Sequence, residues 1–280
     1  SGNVHTRVFI PARVQDNKIL MQNDPLYVDR LEQISDLNLR RAMLYGDWDV
    51  FAGQAFSEWD PRIHVVDDYP VPDGVPIWRS LDWGYEKPYG GLWFFSDFDG
   101  NVVVCNEIYG NSDDPDKIHV GNHRSAMVVG KQISDLENNF GWWVPKGYLD
   151  PQCWAKHGQD RSIYDDLGGA GMGWEPWSKG PDSRVNQKQT VHDYLKVING
   201  KSRLTIMRKC KHLIRTLPAL ALDQSNVEDV ETKGEDHLYD ALRGGLVRKV
   251  VTRDERRRHQ GARLRHAAAR ERGVGQYGGW

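Results

Sequence analysis

The chain has 280 residues, of which 27% are charged and 39% hydrophobic, and its formal net charge is −2. This composition is typical of a folded globular protein and excludes a disordered chain, which would contain fewer hydrophobic residues and a larger net charge. A net charge this small also excludes a protein that binds nucleic acid through a uniformly basic surface.

The cysteines and the absence of long apolar segments indicate the compartment. Cys105, Cys153 and Cys210 are odd in number and far apart, which predicts no disulfide framework and favours a reducing cytoplasm. No stretch approaches the roughly 18 apolar residues of a membrane span. The first residues lack the basic and apolar regions of a signal peptide. Because no Met begins the chain, we expect a fragment of a longer protein.

Residues 1–75 are predicted to form a segment of their own. A short strand at 8–10 precedes a helical pattern that begins near Asp24 and ends at Gly46. Several prolines between positions 61 and 76 then indicate a linker. We therefore expect the next domain to begin at residue 76.

Residues 76–250 are predicted to form one α/β domain. Strands are predicted at 77–82, 91–95, 102–109, 147–150 and 204–207, and helices at 115–139, 162–167, 185–198, 208–217 and 236–247. Three strands joined by tight turns, followed by alternating helices and strands, predict a mixed sheet with helices on both faces.

Two aspartates follow strands of this predicted sheet. Asp82 ends the first strand and Asp150 ends the fourth. A right-handed crossover places the fourth strand parallel to the first, and α/β sheets bind ligands at the carboxyl ends of their strands. Because neighbouring strands lie ~4.8 Å apart, two such carboxylates can share a metal ion. Taken singly, each aspartate is also explained as the cap of a turn.

Three more acids are candidate ligands. Asp236 and Asp240 share one face of the last predicted helix, although acids at a helix start are also favoured by the macrodipole. Glu107 lies near the end of the third strand. Carboxylates without a His or Cys partner suit hard cations, so we expect one or two Mg²⁺ or Mn²⁺ ions.

A basic run lies between the acidic motifs. Its members are Arg184, Lys188, Lys196, Lys201, Arg203, Arg208, Lys209 and Lys211. Such a run is typical of a surface that follows DNA phosphates, and Arg184, Lys188, Lys201 and Arg203 are the predicted DNA contacts. A solvated helix face explains the same residues equally well.

Four stretches, in this order, resemble the large terminase subunit of tailed bacteriophages. The pieces FIPARVQDNKIL, DPLYVDRLEQI and LYGDWDVFAGQAF resemble the end of that family's ATPase domain and the linker that follows it. RSLDWGYEKPYGGLWFF with DGNVVVCNEIYG resembles the start of its RNase H-like nuclease. GYLDP resembles its second acidic position, and EDHLYDALRGGL its closing helix.

The resemblance implies an RNase H-like nuclease of a viral motor that packs double-stranded DNA and cuts concatemers. Asp82, Asp150 and Asp236 would be its metal-binding catalytic carboxylates, with Asp240 and Glu107 as supports. The implied partners are double-stranded DNA, a portal protein and a small terminase subunit, and no membrane. The implied location is the host cytoplasm, outside the mature virion. We expect this fragment to be monomeric and the assembled motor to be oligomeric.

The sequence departs from the family in two places. It contains no Walker A loop, because Leu195 stands where Gly200-Lys201-Ser202 would require a glycine, so we expect the ATPase core to lie outside this chain. Arg243-Gly244 replaces the family's usual Arg-Tyr pair, which we expect to cost packing in the closing helix.

The Arg-rich residues 251–280 predict an exposed, partly mobile tail, and the resemblance implies that it docks to the portal or DNA. Between positions 253 and 272 there are eight Arg and only three acids, so the rest of the chain is acidic. Two alternative functions remain open. One is a transposase, integrase or resolvase-type nuclease, and the other is a non-catalytic docking module of the motor in which the acids are structural.

Overall fold

The structure, a computed structural model, describes residues 13–34, 40, 43–46, 54–97, 99–114, 117, 119–157, 160–177, 183–223, 226, 228–232 and 234–247. The strand predicted at 8–10 and the basic tail predicted at 251–280 lie outside these residues. The three cysteines are buried and free.

A seven-stranded sheet forms the centre of the protein. Its strands are Val65–Val66 (β1), Ile77–Asp82 (β2), Gly90–Ser96 (β3), Val102–Tyr109 (β4), Gly147–Leu149 (β5), Trp174–Pro176 (β8) and Leu204–Met207 (β9), while Lys156–His157 (β6) and Arg161–Ser162 (β7) form a separate hairpin. The order across the sheet is β1-β9-β4-β3-β2-β5-β8. β3 runs antiparallel to β2 and β4, and the other described pairings in this sheet are parallel. The predicted mixed sheet is confirmed.

Long apolar strands were predicted well and short edge strands were not. The bounds of β2, β4 and β9 are those predicted, because their apolar side chains are buried over most of their length. β1 and β8 have only two and three residues, too few to produce a periodic pattern. β8 ends at Pro176 on the sheet edge, where a residue without a backbone N–H is tolerated.

The described residues include eight α-helices with defined ends. They are Lys18–Asn23 (α1), Tyr27–Glu32 (α2), Pro61–His64 (α3), Ala126–Asn139 (α4), Ile163–Asp166 (α5), Ser183–Leu195 (α6), Lys211–Thr216 (α7) and His237–Leu246 (α8). The helix predicted at 115–139 is wrong at its start, because residues 119–125 are not helical. His119 and His123 have φ angles of 72° and 55°, which a right-handed helix does not accommodate. Within the described residues, no helix is long and apolar enough to cross a membrane.

Helices cover both faces of the sheet, as predicted. On one face, Val129 of α4 packs in a cluster with Trp93 of β3. On the other, Val191 of α6 and Leu242 of α8 pack in a cluster with Phe94 of the same strand. Successive side chains of a strand point to opposite faces, so β3 contributes to both cores.

A buried ion pair fastens α4 to β2. Arg79 Nη1 donates to Glu137 Oε1 at 2.8 Å, and Trp93 Nε1 donates to the same oxygen at 2.9 Å. The Arg79 guanidinium also lies 4.4 Å from the ring centre of Trp174. Burial lowers the pKa of Arg79, and the charge of Glu137, which acts in the opposite direction, offsets only part of this shift. Removing either partner would leave a buried charge without compensation, which is strongly destabilising.

The core extends into the segment before residue 76. Phe56 is fully buried in the cluster that contains α6 and α8, and Ala55 N donates to Leu220 O at 2.7 Å. β1 pairs with β9 at the sheet edge. The boundary at residue 76 stays a prediction, but the packing of the described residues crosses it.

Candidate functional site

The carboxyl ends of β2 and β5 lie side by side. The two strands pair in parallel with Leu81 opposite Leu149. Asp82 is the last residue of β2 and Asp150 is the first after β5, so they lie at the same level on neighbouring strands. Asp150 also accepts a hydrogen bond from Gln152 N at 2.7 Å, capping the turn at Pro151–Trp154. The predicted adjacency is therefore present, and the turn cap exists beside it.

Helix α8 brings the third predicted aspartate toward these strand ends. A Cβ on Gly90 of β3 would lie 2.9 Å from the backbone C and O of His237, so the start of α8 lies directly on the strand. Trp78 Nε1 of β2 donates to Gly245 O near the other end of α8 at 3.0 Å. Asp236 precedes α8, and its buried side chain makes no capping hydrogen bond. Capping does not explain this acid.

His237 joins α8 to the end of β2. Its Nδ1 lies 3.2 Å from Asp82 Oδ2, and the Asp82 side chain is 16% exposed. His237 Nε2 is buried and has no hydrogen-bond partner among the described residues. The expectation that the carboxylates have no His partner is therefore wrong for Asp82. The adjacency of His237 to Asp236 in the closing motif was the signal that sequence reasoning overlooked.

Asp82, Asp236 and Asp240 interact electrostatically, and we call these three the acidic cluster. Burial raises the pKa of Asp82, the hydrogen bond with His237 lowers it, and the charges of Asp240 and Asp236 raise it. Burial and the charge of Asp240 raise the pKa of Asp236. Burial lowers the pKa of His237, but the hydrogen bond to Asp82 and the surrounding carboxylates raise it above its ordinary value. Proximity of like charges and burial both disfavour the fully ionised cluster.

Two arginines lie against the acidic cluster. Arg184 Nη2 is 3.5 Å from Asp236 Oδ2, and Arg184 Nη1 is 3.5 Å from Asp240 Oδ2. Arg243 Nε lies 2.7 Å from Asp240 Oδ1, three residues earlier in α8. The position of Arg184 does not favour its predicted role as a DNA contact, because its guanidinium faces carboxylates.

The structure gives Glu107 a role at another helix. Its Oε1 accepts from His212 N at 2.8 Å and its Oε2 from Leu213 N at 2.9 Å, so it caps the start of α7. Burial raises its pKa and these backbone hydrogen bonds lower it. Both oxygens are therefore engaged away from Asp82, which does not favour the predicted support of a metal ion.

Of the remaining predicted DNA contacts, one is buried and the other two are separated from the acidic cluster. Lys188 of α6 is buried. Lys201 and Arg203 are exposed, and the Arg203 guanidinium lies 4.6 Å from the ring centre of Tyr194. Both precede β9, which runs in the same direction as β2. They therefore lie near the amino-end edge of the sheet, whereas Asp82 lies at the carboxyl-end edge.

The donor chemistry of this region fits Mg²⁺ or Mn²⁺, because Asp82, Asp150 and Asp236 supply only carboxylate oxygens. The crowding that raises the pKa of Asp82 and Asp236 would be relieved by a cation. In the described part of the chain, however, no group of three or more His, Cys, Asp or Glu side chains is arranged to hold a metal ion. Cationic side chains that contact the acidic cluster include Arg184, Arg243 and His237.

Solved structures share this fold. No family model matches the sequence, and no curated protein matches it significantly. The chain matches the large terminase of a thermophilic bacteriophage in complex with ADP with a TM-score of 0.57 and 17% identity, over 83% of this chain and 53% of that one. A second crystal form of that thermophilic phage protein matches with a TM-score of 0.56 and 17% identity, over 84% of this chain and 53% of that one. The P22 large terminase nuclease domain matches with a TM-score of 0.50 and 13% identity, over 69% of this chain and 91% of that one.

These likenesses confirm the predicted fold, which is that of the nuclease domain of phage large terminases. The match to P22 covers nearly all of a chain described as a nuclease domain. The chain spans about half the length of the thermophilic phage terminase in both of its crystal structures.

Proposed function

We propose that this chain contains the nuclease of a phage large terminase and cuts double-stranded DNA in a metal-dependent hydrolysis. The observation that supports this best is the parallel pairing of β2 with β5, which puts Asp82 beside Asp150 at a strand end. Asp236 approaches the same edge from α8, on a fold shared with the P22 nuclease domain. The combination of fold and acid placement favours a nuclease over an unrelated α/β enzyme.

Asp82, Asp150 and Asp236 would hold one or two Mg²⁺ or Mn²⁺ ions. Such an ion, when bound, polarises a water molecule and neutralises charge on the phosphodiester. The protein's own part is orientation. His237 fixes the Asp82 carboxylate through its Nδ1, and Arg243 pairs with Asp240 three residues earlier in α8.

The biological setting is proposed by likeness to the terminases. The chain would act in the host cytoplasm, outside the mature virion, and cut concatemeric DNA when packaging begins and ends. Its partners would be DNA, the portal protein and the small terminase subunit, and it would join an oligomeric motor, whereas this chain alone would be monomeric. The ATPase of the motor would be supplied by sequence outside this chain.

A plasmid-cutting assay tests the proposal. The protein with MnCl₂ or MgCl₂ should nick and linearise supercoiled plasmid with little sequence preference, and EDTA should abolish the cutting. Asp82→Asn should remove activity. The matched control is Asp135→Asn, because Asp135 is exposed on α4 and pairs with Lys131 in a surface contact at 2.5 Å. Cutting that survives EDTA or persists in Asp82→Asn would refute the proposal.

One observation favours a second candidate, a docking module in which the acids are structural. Arg184, Arg243 and His237 already neutralise much of the acidic cluster. In that case neither the wild-type protein nor Asp82→Asn would cut DNA. The substitution would change only the melting temperature.

A further inference from the structure

Arg184 contacts three carboxylates from two parts of the chain. It lies in the first turn of α6, whereas Asp236 and Asp240 belong to the start of α8 and Asp229 to the loop before it. Its side chain is 28% exposed, and the side chains of Asp229, Asp236 and Asp240 are 16%, 7% and 14% exposed. The contacts are therefore partly shielded from water, where ion pairs are stronger than on an open surface.

The three contacts differ in length. Arg184 Nε donates to Asp229 Oδ2 at 2.7 Å and to Oδ1 at 2.9 Å. The contacts to Asp236 and Asp240 are both 3.5 Å. Asp229 is itself fixed, because its Oδ1 also accepts from Val230 N at 2.7 Å. Asp229 thus anchors the guanidinium, and the two Nη groups lie at a looser distance from the acids of the site.

The charge of the region explains why a cation is needed there. The acidic cluster places three carboxylates at the start of α8 and the end of β2, and the burial of unpaired carboxylates is costly. Arg243 pairs with Asp240, and His237 with Asp82. Arg184 is the described arginine whose guanidinium reaches both Asp236 and Asp240.

We propose that Arg184 is a built-in counter-ion that holds Asp236 and Asp240 while no metal ion is bound and competes with the metal for Asp236. The inference rests on the proposed metal site and makes Arg184 a positioning residue. Asp229 sets the strength of the competition, because it draws the guanidinium toward itself. Asp236 would therefore pair with the Arg184 guanidinium in the metal-free protein and with the divalent ion once it binds.

The two residues should act on metal affinity in opposite directions. Arg184→Gln removes the competing charge, so Mn²⁺ should bind on the order of tenfold more tightly. Asp229→Asn frees Arg184 to pair more closely with Asp236 and Asp240, so Mn²⁺ should bind several-fold more weakly. General damage to the fold would weaken binding in both variants. In the Arg184→Gln background, Asp229→Asn should change the affinity much less, since the residue through which it acts is gone.

Calorimetric titration with MnCl₂ measures these affinities, and melting temperatures in EDTA and in MnCl₂ provide a second readout. Arg184→Gln should melt roughly 3–6 °C lower than wild type in EDTA and recover most of that loss in MnCl₂. Arg184→Lys, which keeps the charge, should behave much more like wild type. The control is Arg161→Gln, because Arg161 is exposed in β7 and pairs with Asp166 at 2.6 Å.

Several outcomes would overturn the inference. An equal loss of melting temperature with and without Mn²⁺ would make Arg184 a structural residue only. Weaker Mn²⁺ binding by Arg184→Gln, or the same sign of change in Arg184→Gln and Asp229→Asn, would exclude competition. If Arg184→Gln does not fold, unchanged Mn²⁺ affinity in Asp229→Asn refutes the inference. Wild-type protein that binds no Mn²⁺ would refute the proposed metal site as well, whereas the other outcomes leave that site standing.

Discussion

Asp82 is held from two sides. Its backbone is fixed by β2, where it pairs opposite Gly90 of β3, and its carboxylate is fixed by His237. A strand end supplies a rigid backbone, and a side chain from a different element supplies the orientation. The position of the Asp82 carboxylate therefore depends on α8 as well as on the sheet.

His237 is expected to matter through the orientation of Asp82. His237→Gln removes the imidazole Nδ1 that lies 3.2 Å from Asp82 Oδ2, while the buried backbone of α8 is retained. A misplaced catalytic group commonly costs on the order of 10²-fold in rate. We expect a loss of roughly this size in plasmid cutting under MnCl₂, with little change in melting temperature. His123→Gln, which removes an exposed contact with Glu86, is the control and should leave the rate unchanged.

The two acids of α8 are expected to differ. Asp236→Ala should abolish cleavage, because Asp236 lies before the helix and its carboxylate is not a cap. Asp240→Ala should reduce cleavage less and act mainly on stability, because Asp240 pairs with Arg243 at 2.7 Å and its loss leaves a buried guanidinium. Calorimetry with MnCl₂ decides between them. Loss of metal binding in Asp240→Ala but not in Asp236→Ala would reverse the assignment.

The residues that sequence reasoning placed correctly are those whose position follows from a strand. Asp82 and Asp150 were expected side by side because apolar strands precede both, and the register confirms it. Glu107 lies within β4, but its partners are the N–H groups of His212 and Leu213, 105 and 106 residues further along the chain. Contacts between residues this far apart in the chain do not affect the spacing of hydrophobic residues from which strands and helices are predicted. The acidic partners of Arg184 were unpredictable for the same reason.

Helix α8 depends on glycines that let aromatic rings approach its backbone closely. A Cβ on Gly245 would lie 2.6 Å from the Phe94 ring, and one on Gly244 would lie 2.2 Å from the Trp177 ring. The expectation that Arg243-Gly244 costs packing is therefore wrong, because Trp177 fills the space that a larger side chain would need. The sequence predicted both ends of α8 to within one residue. It did not predict that the Trp177 ring packs on the helix.

Gly90→Ala is expected to lift the start of α8 from the sheet. The new Cβ would lie 2.9 Å from the His237 backbone, which cannot move aside as a flexible side chain could. Overpacking of this kind costs about 1–3 kcal/mol in the free energy of unfolding. Urea denaturation should show that loss, and cleavage should fall because His237 moves relative to Asp82. Gly171→Ala is the control, since a Cβ there meets nothing within 4 Å. Equal stability of the two variants would contradict this account of α8.

Over the whole molecule, the sheet and its two cores include residues that the sequence assigned to a separate segment. β1 lies at one end of the sheet, far along the chain from its partner β9. Phe56 packs against His192 and Tyr239, with ring centres 4.9 and 5.3 Å apart. The prolines after β1 predicted a linker, and the boundary at residue 76 stays a prediction, but described residues on both sides of these prolines pack in the same core. Proline marks an interruption of regular structure and does not by itself mark a domain boundary.

Truncation tests how far the packed unit extends. A protein beginning at residue 54 keeps Phe56, β1 and the buried contact of Glu58 Oε1 with His192 Nδ1 at 2.8 Å, whereas one beginning at residue 76 loses all three. Losing Phe56 alone should cost about 3–5 kcal/mol, the usual result of emptying a buried phenylalanine site. We therefore expect the longer fragment to unfold cooperatively in urea at a clearly higher concentration. Phe56→Ala within the longer fragment should reproduce much of the difference. Equal midpoints for the two fragments would show that residues 54–66 are an appendage and would support a boundary at residue 76.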